Sequence, residues 1–514
     1  MNSRTANAGK NAVMQSIATS LTIILGLVTR YFFNIILGED YLGLSSLFAT
    51  IIGVLSFADL GISNSFTYCL YKPIAEEDDD YITVLLYFFK RLMSIIMLII
   101  LIISVAVSPF LRYLAPGAEL IDDFHLYFYY SLSVAEILAG YWCTFQVCYV
   151  AAKQQEYKLV PIRMFFSVAI GIIKILVLVI THSYALFVFV GAVITIIQQF
   201  VIRLYIHNKY PIVKLTKKGE LREDDKKSLK RNTASALVLK FATISVYQTD
   251  AIIISMALKI GTLGRITNYT TIKDYVFRII SQIQNAAYAS MGNVVATEKK
   301  EYQLEVFFKY LMVSEFLISL AGCALITLMS PFIILLFGEK WAVDELSITL
   351  MILAAVIVFH TYAANILPTV YGRFDICARY AFVEGGVNLV TSIVAINIFG
   401  LPGVYIGTVV SEIVYFMVQP KAIFKELFDG DKQFYKRSIK GILQTMFVVV
   451  FMHFYKNRFY NGTFCGFIVL TLITVLVWAS TFWLLWGKDK YFGAILLMLK
   501  RFLNKISAKL NKKK

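Results

Sequence analysis

Long apolar runs, separated by short polar segments, recur along nearly the whole chain. A run of about 20 apolar residues is enough for an α-helix to cross a bilayer, and the pattern predicts fourteen such spans. The clearest two, Leu92–Phe110 and Phe316–Phe337, contain no charged residue, whereas the thirteenth rests on Gly441–Tyr455, only 15 residues long. The pattern therefore predicts an all-α polytopic membrane protein. The predicted spans are 11–37, 42–70, 88–110, 124–151, 160–181, 184–206, 233–258, 266–292, 310–337, 346–371, 380–399, 403–420, 439–455 and 463–486.

Composition excludes a soluble protein. Apolar types make up 58% of the 514 residues and charged types 16%, whereas a soluble domain is nearer half apolar and a quarter charged. The 49 basic residues outnumber the 33 acidic ones. In a membrane chain this excess indicates cytoplasmic loops beside anionic lipid rather than a nucleic-acid partner. The six cysteines and five histidines are dispersed, so we expect no metal site and no cofactor.

The positions of lysine and arginine predict the orientation. With the N-terminus inside, 38 of the 49 basic residues fall in cytoplasmic segments and six in outer loops. Cytoplasmic loops of membrane proteins carry such an excess. We therefore expect both termini in the cytoplasm and an even number of spans, with the acidic run Glu76–Asp80 as a solvated cytoplasmic loop.

Two short motifs recur at nearly one offset and indicate an internal repeat. Leu42-Gly43 recurs as Leu263-Gly264, 221 residues later, and Ser108-Pro109 recurs as Ser330-Pro331, 222 residues later. Because six spans separate the copies, the halves are parallel repeats about an axis along the membrane normal, and such transporters place the substrate path between the halves. The predicted domains are an N-lobe of six spans (1–206), a charged cytoplasmic linker (207–232), a C-lobe of six spans (233–430), two further spans (431–486) and a basic amphipathic cytoplasmic tail (487–514).

Ionisable residues inside spans are candidates for function, because each is costly unless it faces protein or water. On the first, second, seventh and eighth spans they belong to polar stripes with helical spacing, and these spans are the first two of each repeat. A stripe several turns long faces water or a polar ligand, so the four helices are predicted to line one central cavity. The stripe residues singled out are Arg30, Asn34, Lys240, Arg278, Gln282 and Asn285, with Asp59, Asp250 and Asp274 as acidic neighbours.

Structural interpretations of these charges stay open at this point. The basic stripe residues could form buried structural pairs, and the three aspartates could either couple a cation or neutralise a basic neighbour. Single charges on the other spans, such as Glu136, Lys174, Glu315 and Glu412, could form interhelical ion pairs, for example Glu136 with Lys174.

Two blocks of sequence resemble a known family. TRYFFNIILGEDYLGLSSLFATIIGVLSFADLGI (Thr29–Ile62), followed by LYKPIAEEDDD (Leu70–Asp80), resembles the start of Wzx-type polysaccharide flippases. These belong to the multidrug/oligosaccharidyl-lipid/polysaccharide (MOP) exporter superfamily. TDAIIISMALKIGTLGRITNYTTI (Thr249–Ile272), continuing through NAAYASMGNVVATEKKE (Asn285–Glu301), is similar to the Gram-positive capsule and exopolysaccharide branch.

The resemblance implies a fold and a function. The fold is fourteen helices, in two parallel six-helix lobes plus two C-terminal helices, in the MATE- and MurJ-like arrangement. Members translocate undecaprenyl-diphosphate-linked oligosaccharides to the outer leaflet of the bacterial cytoplasmic membrane, for capsule, exopolysaccharide or teichoic-type polymers. The implied partners are this substrate, membrane lipids and, as candidates, a polysaccharide polymerase and other assembly proteins.

The resemblance also suggests roles for individual residues. Arg30 occupies a position like that of an arginine that related lipid II flippases use for the diphosphate, and Arg278 lies where another is expected. Asp59 and Asp250 depart from a uniformly positive cavity, so a cation-coupling aspartate stays open. We expect the basic stripe residues to bind the diphosphate and the amides to bind sugar hydroxyls.

Functions of other classes fit less well. Lipid II as cargo remains an alternative within the superfamily. A cation-coupled drug or metabolite antiporter would prefer an acidic cavity. A membrane polymerase or glycosyltransferase needs a sizeable outer loop or an acidic metal site, whereas outer loops such as Gly38–Tyr41 and Phe399–Pro402 are short. A scaffold would not need four polar stripes, so we expect a transporter and not an enzyme.

Overall fold

The computed structural model describes residues 21–55, 62–118, 121–215, 217–227, 229, 248–430, 433–498 and 500. Every regular element in these ranges is helical. Contacts between helices divide the chain into two units, unit 1 (Met1–Thr267) and unit 2 (Asn268–Lys514). The boundary falls within one helix rather than in the charged linker, so the predicted lobes stay a prediction.

Unit 1 is built from helices joined by short turns. The turn after the first helix is made at Gly38, whose φ of +87° disfavours a side chain. The helices are α1 (Leu21–Ile36), α2 (Glu39–Leu55), α3 (Ile62–Ala75), α4 (Asp79–Val107), α5 (Asp123–Trp142), α6 (Thr144–Ala152), α7 (Val160–Thr181), α8 (Tyr184–Lys209), α9 (Thr249–Leu258) and the start of α10 (Ile260–Ala286).

Unit 2 begins inside α10 and has a separate core, in which α15 packs along α16 and α12 packs on α13, α17 and α18. Its remaining helices are α11 (Tyr288–Thr297), α12 (Lys300–Phe337), α13 (Glu345–Ala364), α14 (Ile366–Val370), α15 (Phe374–Phe399), α16 (Leu401–Phe428), α17 (Gln433–Phe459) and α18 (Phe464–Trp486).

Ten of the described helices are long and apolar enough to cross a membrane, and they coincide with predicted spans three to six and nine to fourteen. The prediction of an all-helical multi-pass membrane protein is confirmed, while the count of fourteen stays a prediction. The weak thirteenth span is the 27-residue helix α17, long enough to cross. The helices outside the ten include α10, which has 27 residues but is too polar to qualify by composition.

Aromatic rings join α1, α2, α5 and α8 in unit 1. The ring of Tyr184, at the start of α8, lies 5.9 Å from that of Phe33, 4.8 Å from that of Tyr41 and 4.7 Å from that of Tyr129. Phe33 also contacts Phe187 at 5.1 Å. In lipid, helices associate by packing rather than by the hydrophobic effect, and such ring pairs contribute about 1 kcal/mol each.

The predicted neighbours Glu136 and Lys174 lie close enough to interact electrostatically. Glu136 Oε1 accepts a hydrogen bond from Thr195 Oγ1 at 3.1 Å. Lys174 Nζ lies 4.6 Å from the ring centroid of Phe187, and its chain passes Gly191, where a Cβ would lie 2.4 Å from Lys174 Cε. Both charges therefore make contacts inside unit 1, to Thr195 and to Phe187, and the ion pair between them stays a prediction.

The charged linker docks onto the start of α4. Arg222 donates to Asp78 Oδ2 at 2.6 Å, and its guanidinium lies 3.9 Å from the ring centroid of Tyr81. Tyr81 in turn donates to Asp225 Oδ2 at 2.6 Å. Asp78 caps α4 by accepting from the Tyr81 amide, and this hydrogen bond, together with Arg222, holds the pKa of Asp78 below its usual range. The acidic segment predicted as a solvated loop thus also anchors the linker.

The tail begins by packing onto unit 2. Arg437 of α17 donates to Asp489 Oδ2 at 2.7 Å, and Tyr491 and Ile495 are buried. The ring of Phe492 lies 5.6 Å from that of Trp483. This stretch belongs to the predicted amphipathic cytoplasmic tail, and through Asp489 and Phe492 it contacts α17 and α18. Residues 501–514 of the predicted amphipathic tail lie outside the described residues.

Candidate functional site

Two predicted site residues lie on the inner face of α1. Asn34 is fully buried, and Arg30, one turn earlier, is half-buried with its Nη1 atom inaccessible to solvent. The helix is held to its neighbours by Thr22 and by Leu25: Thr22 Oγ1 lies 3.3 Å from the Ser167 hydroxyl, and Leu25 packs against Gly171. The polar face of α1 therefore points into unit 1, as expected for a charge that lipid would not solvate.

The largest group of predicted site residues lies on α10. Asp274, Arg278, Gln282 and Asn285 are all exposed and follow each other at helical spacing. Further along the same stripe toward the start of the helix, Thr267 is buried. Because charged and amide side chains of a membrane helix face water or polar groups rather than lipid, this row marks a wetted surface. We call these four residues the α10 polar row.

The acidic candidates have different surroundings. Asp274 forms an ion pair with Lys273 at 3.3 Å, so its charge is partly neutralised by its sequence neighbour. Asp250 is half-buried in the first turn of α9, where the helix dipole favours a negative charge. Asp59 and Lys240 lie outside the described residues.

A close crossing joins α2 to the start of α10 within unit 1. A Cβ placed on Gly43 would lie 2.0 Å from the Ile260 carbonyl oxygen, and one on Gly264 would lie 1.9 Å from the Glu39 carbonyl oxygen. The contact is reciprocal, because each glycine meets the carbonyl four residues before the other. These glycines belong to one of the two short sequence matches that predict the internal repeat. Only residues without a side chain let two helix backbones approach this closely.

Polar contacts surround the glycine crossing. Arg265 Nε lies 3.3 Å from Glu39 Oε2. Ser255 Oγ donates to the Leu114 carbonyl at 2.6 Å, and the Ile260 amide donates to the Pro116 carbonyl at 2.9 Å. All of these residues lie at the ends of the helices that the distribution of lysine and arginine predicts to be extracytoplasmic. The start of α10 is therefore fastened to α2 and to the segment that follows α4.

Neither a family model nor a curated protein matches the sequence. Solved structures do match. Lipid II flippase MurJ in an inward closed conformation is 16% identical, with 92% of this chain and 99% of that chain covered and a TM-score of 0.65. An inward-facing multidrug resistance MATE family transporter of the MOP superfamily is 14% identical, with 83% and 99% covered and a TM-score of 0.60. A MOP superfamily transporter from Pyrococcus furiosus, whose title describes a binding pocket of reverse polarity, is 14% identical, with 86% and 95% covered and a TM-score of 0.55.

The chain has the fold of MurJ and MATE transporters. The predicted MATE- and MurJ-like fold is thereby confirmed, whereas the fourteen spans, the lobe layout and the Wzx-type assignment stay predictions. These neighbours are named as flippases and transporters, not as enzymes. Among the described residues, no group of three or more histidine, cysteine, aspartate and glutamate side chains is placed to hold a metal ion.

The sequence does not indicate which residue pairs with Glu315. Glu315 and His360 are buried in unit 2 and pair at 2.8 Å between Oε2 and Nε2. His360 Nδ1 faces the Val356 carbonyl at 2.6 Å, so Nδ1 carries a proton and donates it. Ser438 Oγ donates to Glu315 Oε1 at 3.2 Å. A Cβ on Gly441 would lie 2.1 Å from Glu315 Oε2, so this glycine makes room for the carboxyl group between α12, α13 and α17.

A second buried carboxyl group has an unexpected partner. The side chain of Glu412 on α16, suggested as a member of an ion pair, is hydrogen-bonded to that of Glu384 on α15. Both are buried. No sequence pattern indicated that these two residues meet.

Replacing Gly264 by alanine should destabilise the protein. The new methyl group would meet backbone rather than a movable side chain, so we expect a loss of about 1–3 kcal/mol, as for other overpacked contacts. Thermal unfolding of the purified protein measures this change. Gly386→Ala on α15 is the matched control, because nothing lies within 4 Å of its Cβ position. Equal unfolding midpoints for the two variants would show that the crossing is not tight.

Truncating Glu315 should cost more than replacing it with its amide. Glu315→Ala leaves His360 Nε2 and the Ser438 hydroxyl buried without this partner, and we expect a loss of about 3–5 kcal/mol. Glu315→Gln can accept from Ser438 and donate to Nε2, so most of the stability should remain. Thermal unfolding of both variants tests this order, and a glutamine variant as unstable as the alanine variant would contradict it.

Proposed function

We propose that the protein is a flippase for an undecaprenyl-diphosphate-linked oligosaccharide repeat unit. It moves this substrate across the bacterial cytoplasmic membrane by alternating access, in the assembly of a capsule, exopolysaccharide or teichoic-type polymer. In this proposal both termini are cytoplasmic. The polysaccharide polymerase and the other enzymes that assemble the polymer are its candidate partners.

The α10 polar row is the observation that carries this proposal. It presents a guanidinium (Arg278) and two amides (Gln282 and Asn285) on an exposed helix face in a protein with a transporter fold. A guanidinium binds phosphate oxygens through two parallel hydrogen bonds. Amides donate to and accept from sugar hydroxyls. The row thus offers groups that bind both the diphosphate and the sugars of a diphosphate-linked glycan. The surrounding lipid would hold the polyprenyl tail.

On α1, Arg30 and Asn34 repeat the same pairing of guanidinium and amide. We assign Arg30 and Arg278, assisted by Lys240, to the diphosphate, and Asn34, Gln282 and Asn285 to the sugars. Asp59, Asp250 and Asp274 are assigned either to cation coupling or to charge pairing. For Asp274, the ion pair with Lys273 favours charge pairing.

Two other cargoes fit the same fold. Lipid II shares the polyprenyl diphosphate with the proposed substrate, and a fold neighbour is named as its flippase. A cation-coupled drug or metabolite antiporter is supported by the MATE neighbours. A cationic drug would be repelled by Arg30 and Arg278, which disfavours the second alternative. The difference between the two diphosphate cargoes lies in the sugars.

Arg278→Ala should reduce transport by about ten- to a hundredfold, because a charge-assisted hydrogen bond contributes about 1.5–3 kcal/mol. Arg30→Ala should have a similar effect, and Arg278→Lys should be intermediate because lysine keeps the charge but not the fork geometry. The measurement uses proteoliposomes loaded with a polyprenyl-diphosphate oligosaccharide. A glycan-cleaving enzyme outside the vesicles reports the fraction that has been translocated.

Lys309→Ala is the matched control, since it removes one positive charge from an exposed ion pair with Glu305 and should leave transport unchanged. Lipid II and a cationic drug are offered to the same vesicles as competing cargoes. Transport of the oligosaccharide at the wild-type rate by both arginine variants would remove the arginines from the mechanism. If only the drug is transported, the flippase proposal is wrong and the protein is an antiporter.

The membrane potential should assist outward movement. The substrate carries negative charge, and an inside-negative potential favours its exit by about 2.3 kcal/mol per charge per 100 mV. Collapsing the potential and the cation gradients separately, in the same vesicles, distinguishes this source from a coupled cation. If only the cation gradient matters, a carboxyl group such as Asp250 becomes the coupling candidate.

A further inference from the structure

Three lysines lie close together at the end of unit 1 that the charge distribution predicts to be cytoplasmic, and two of them lie against the ring of one buried tyrosine, Tyr210. Lys153 Nζ lies 5.9 Å and Lys158 Nζ 5.8 Å from the ring centroid of Tyr210. Lys209 directly precedes Tyr210 and, with Lys153, is close enough to interact electrostatically with Lys158. Lys153 also lies 4.9 Å from the ring centroid of Tyr149. The three positive charges therefore repel one another across a small aromatic surface.

Carboxylates are scarce in the segments that build this cluster. Residues 144–163 contain one acidic residue, Glu156, and residues 195–218 contain none. Glu156 is engaged by Arg163, whose Nη1 lies 2.8 Å from Glu156 Oε1. Lys153 and Lys158 are nevertheless half-buried, although lysine is normally among the most exposed residues. Such a cluster is stabilised when an anion adds the missing charge.

The backbone is shaped to bring the lysines together. Gln154, between α6 and the following turn, has a φ of +56°, a conformation that costs an ordinary residue about 1 kcal/mol or more. It reverses the chain, so that Lys153 and Lys158 face the same ring. The Tyr210 hydroxyl donates to Gln155 Oε1 at 2.6 Å and lies 3.5 Å from Lys158 Nζ. Tyr210 thus contacts two residues of the turn, Gln155 and Lys158, and holds it in place.

We propose that Lys153, Lys158 and Lys209, with Tyr210, form a binding site for the phosphate group of an anionic lipid in the inner leaflet. Ammonium groups supply the charge and donors that phosphate oxygens accept. The tyrosines supply an apolar support at the depth of the headgroups, where aromatic residues are enriched. The site belongs to unit 1 alone and stands whether or not the proposed substrate is correct.

Lysine acylation measured residue by residue by mass spectrometry tests this proposal. The full-length protein is placed in nanodiscs of phosphatidylcholine, with or without phosphatidylglycerol. Inorganic pyrophosphate is titrated onto the phosphatidylcholine nanodiscs as a separate arm. Bound phosphate keeps the ammonium groups protonated and covered, so phosphatidylglycerol should slow acylation of Lys153 and Lys158 several-fold. Lys72 and Lys226, which have carboxylate neighbours Glu76 and Glu223, should not change.

Variants provide the second measurement. Lys153→Gln/Lys158→Gln should bind phosphatidylglycerol about tenfold more weakly, counted as retained lipid in native mass spectra. Lys72→Gln/Lys226→Gln removes the same charge from the same unit and should retain it. Protection by pyrophosphate but not by phosphatidylglycerol would overturn the lipid as the source of phosphate. Absence of protection in both arms of the wild-type experiment would overturn the site itself.

Discussion

The absence of hydrogen-bond partners in hydrocarbon is the constraint on which this structure depends. Every polar group in a membrane helix must find its partner in protein or in water. Asn34 is accordingly buried on the inner face of α1, and Glu315 is enclosed by His360 and Ser438. The α10 polar row is the contrasting case, since its side chains are exposed. The same constraint thus separates buried polar groups that hold helices together from a row that requires water or a polar ligand.

The glycine crossing shows what an internal repeat can specify. The sequence predicts that Gly43 and Gly264 occupy corresponding positions in two halves, and their backbones meet reciprocally in the structure. Correspondence alone does not predict contact, because equivalent positions of a repeat meet only when they lie next to the axis that relates the copies. Dispersion forces between such close backbones fall steeply with separation. The attraction between the two helices at such a contact is therefore strong at this separation, and it becomes small when the separation increases.

The sequence predicted the helices far better than it predicted their polar partners. Ten predicted spans coincide with apolar helices, because hydropathy follows directly from the requirement to satisfy the backbone in lipid. The meeting of Glu412 with Glu384 and of Glu315 with His360 depends on helix rotation and packing over long separations in the chain. The helical periodicity of the sequence predicts which side of its own helix a residue lies on, but not which other helix packs against that side. The roles of Arg30 and Arg278 stay predictions for the same reason.

The polarity of the exposed row bears on the choice among cargoes. A site for organic cations requires carboxylates without basic neighbours, whereas the one carboxylate in the row, Asp274, is paired with Lys273. Arg278 adds a guanidinium group to the row, beside two neutral amides. An anion carried together with many hydroxyl groups complements this set, and a polyprenyl-diphosphate glycan has both. The sugar identity would then depend on many weak hydroxyl contacts, each contributing about 1 kcal/mol, so single substitutions at Gln282 or Asn285 should alter glycan preference less than loss of the arginine alters transport.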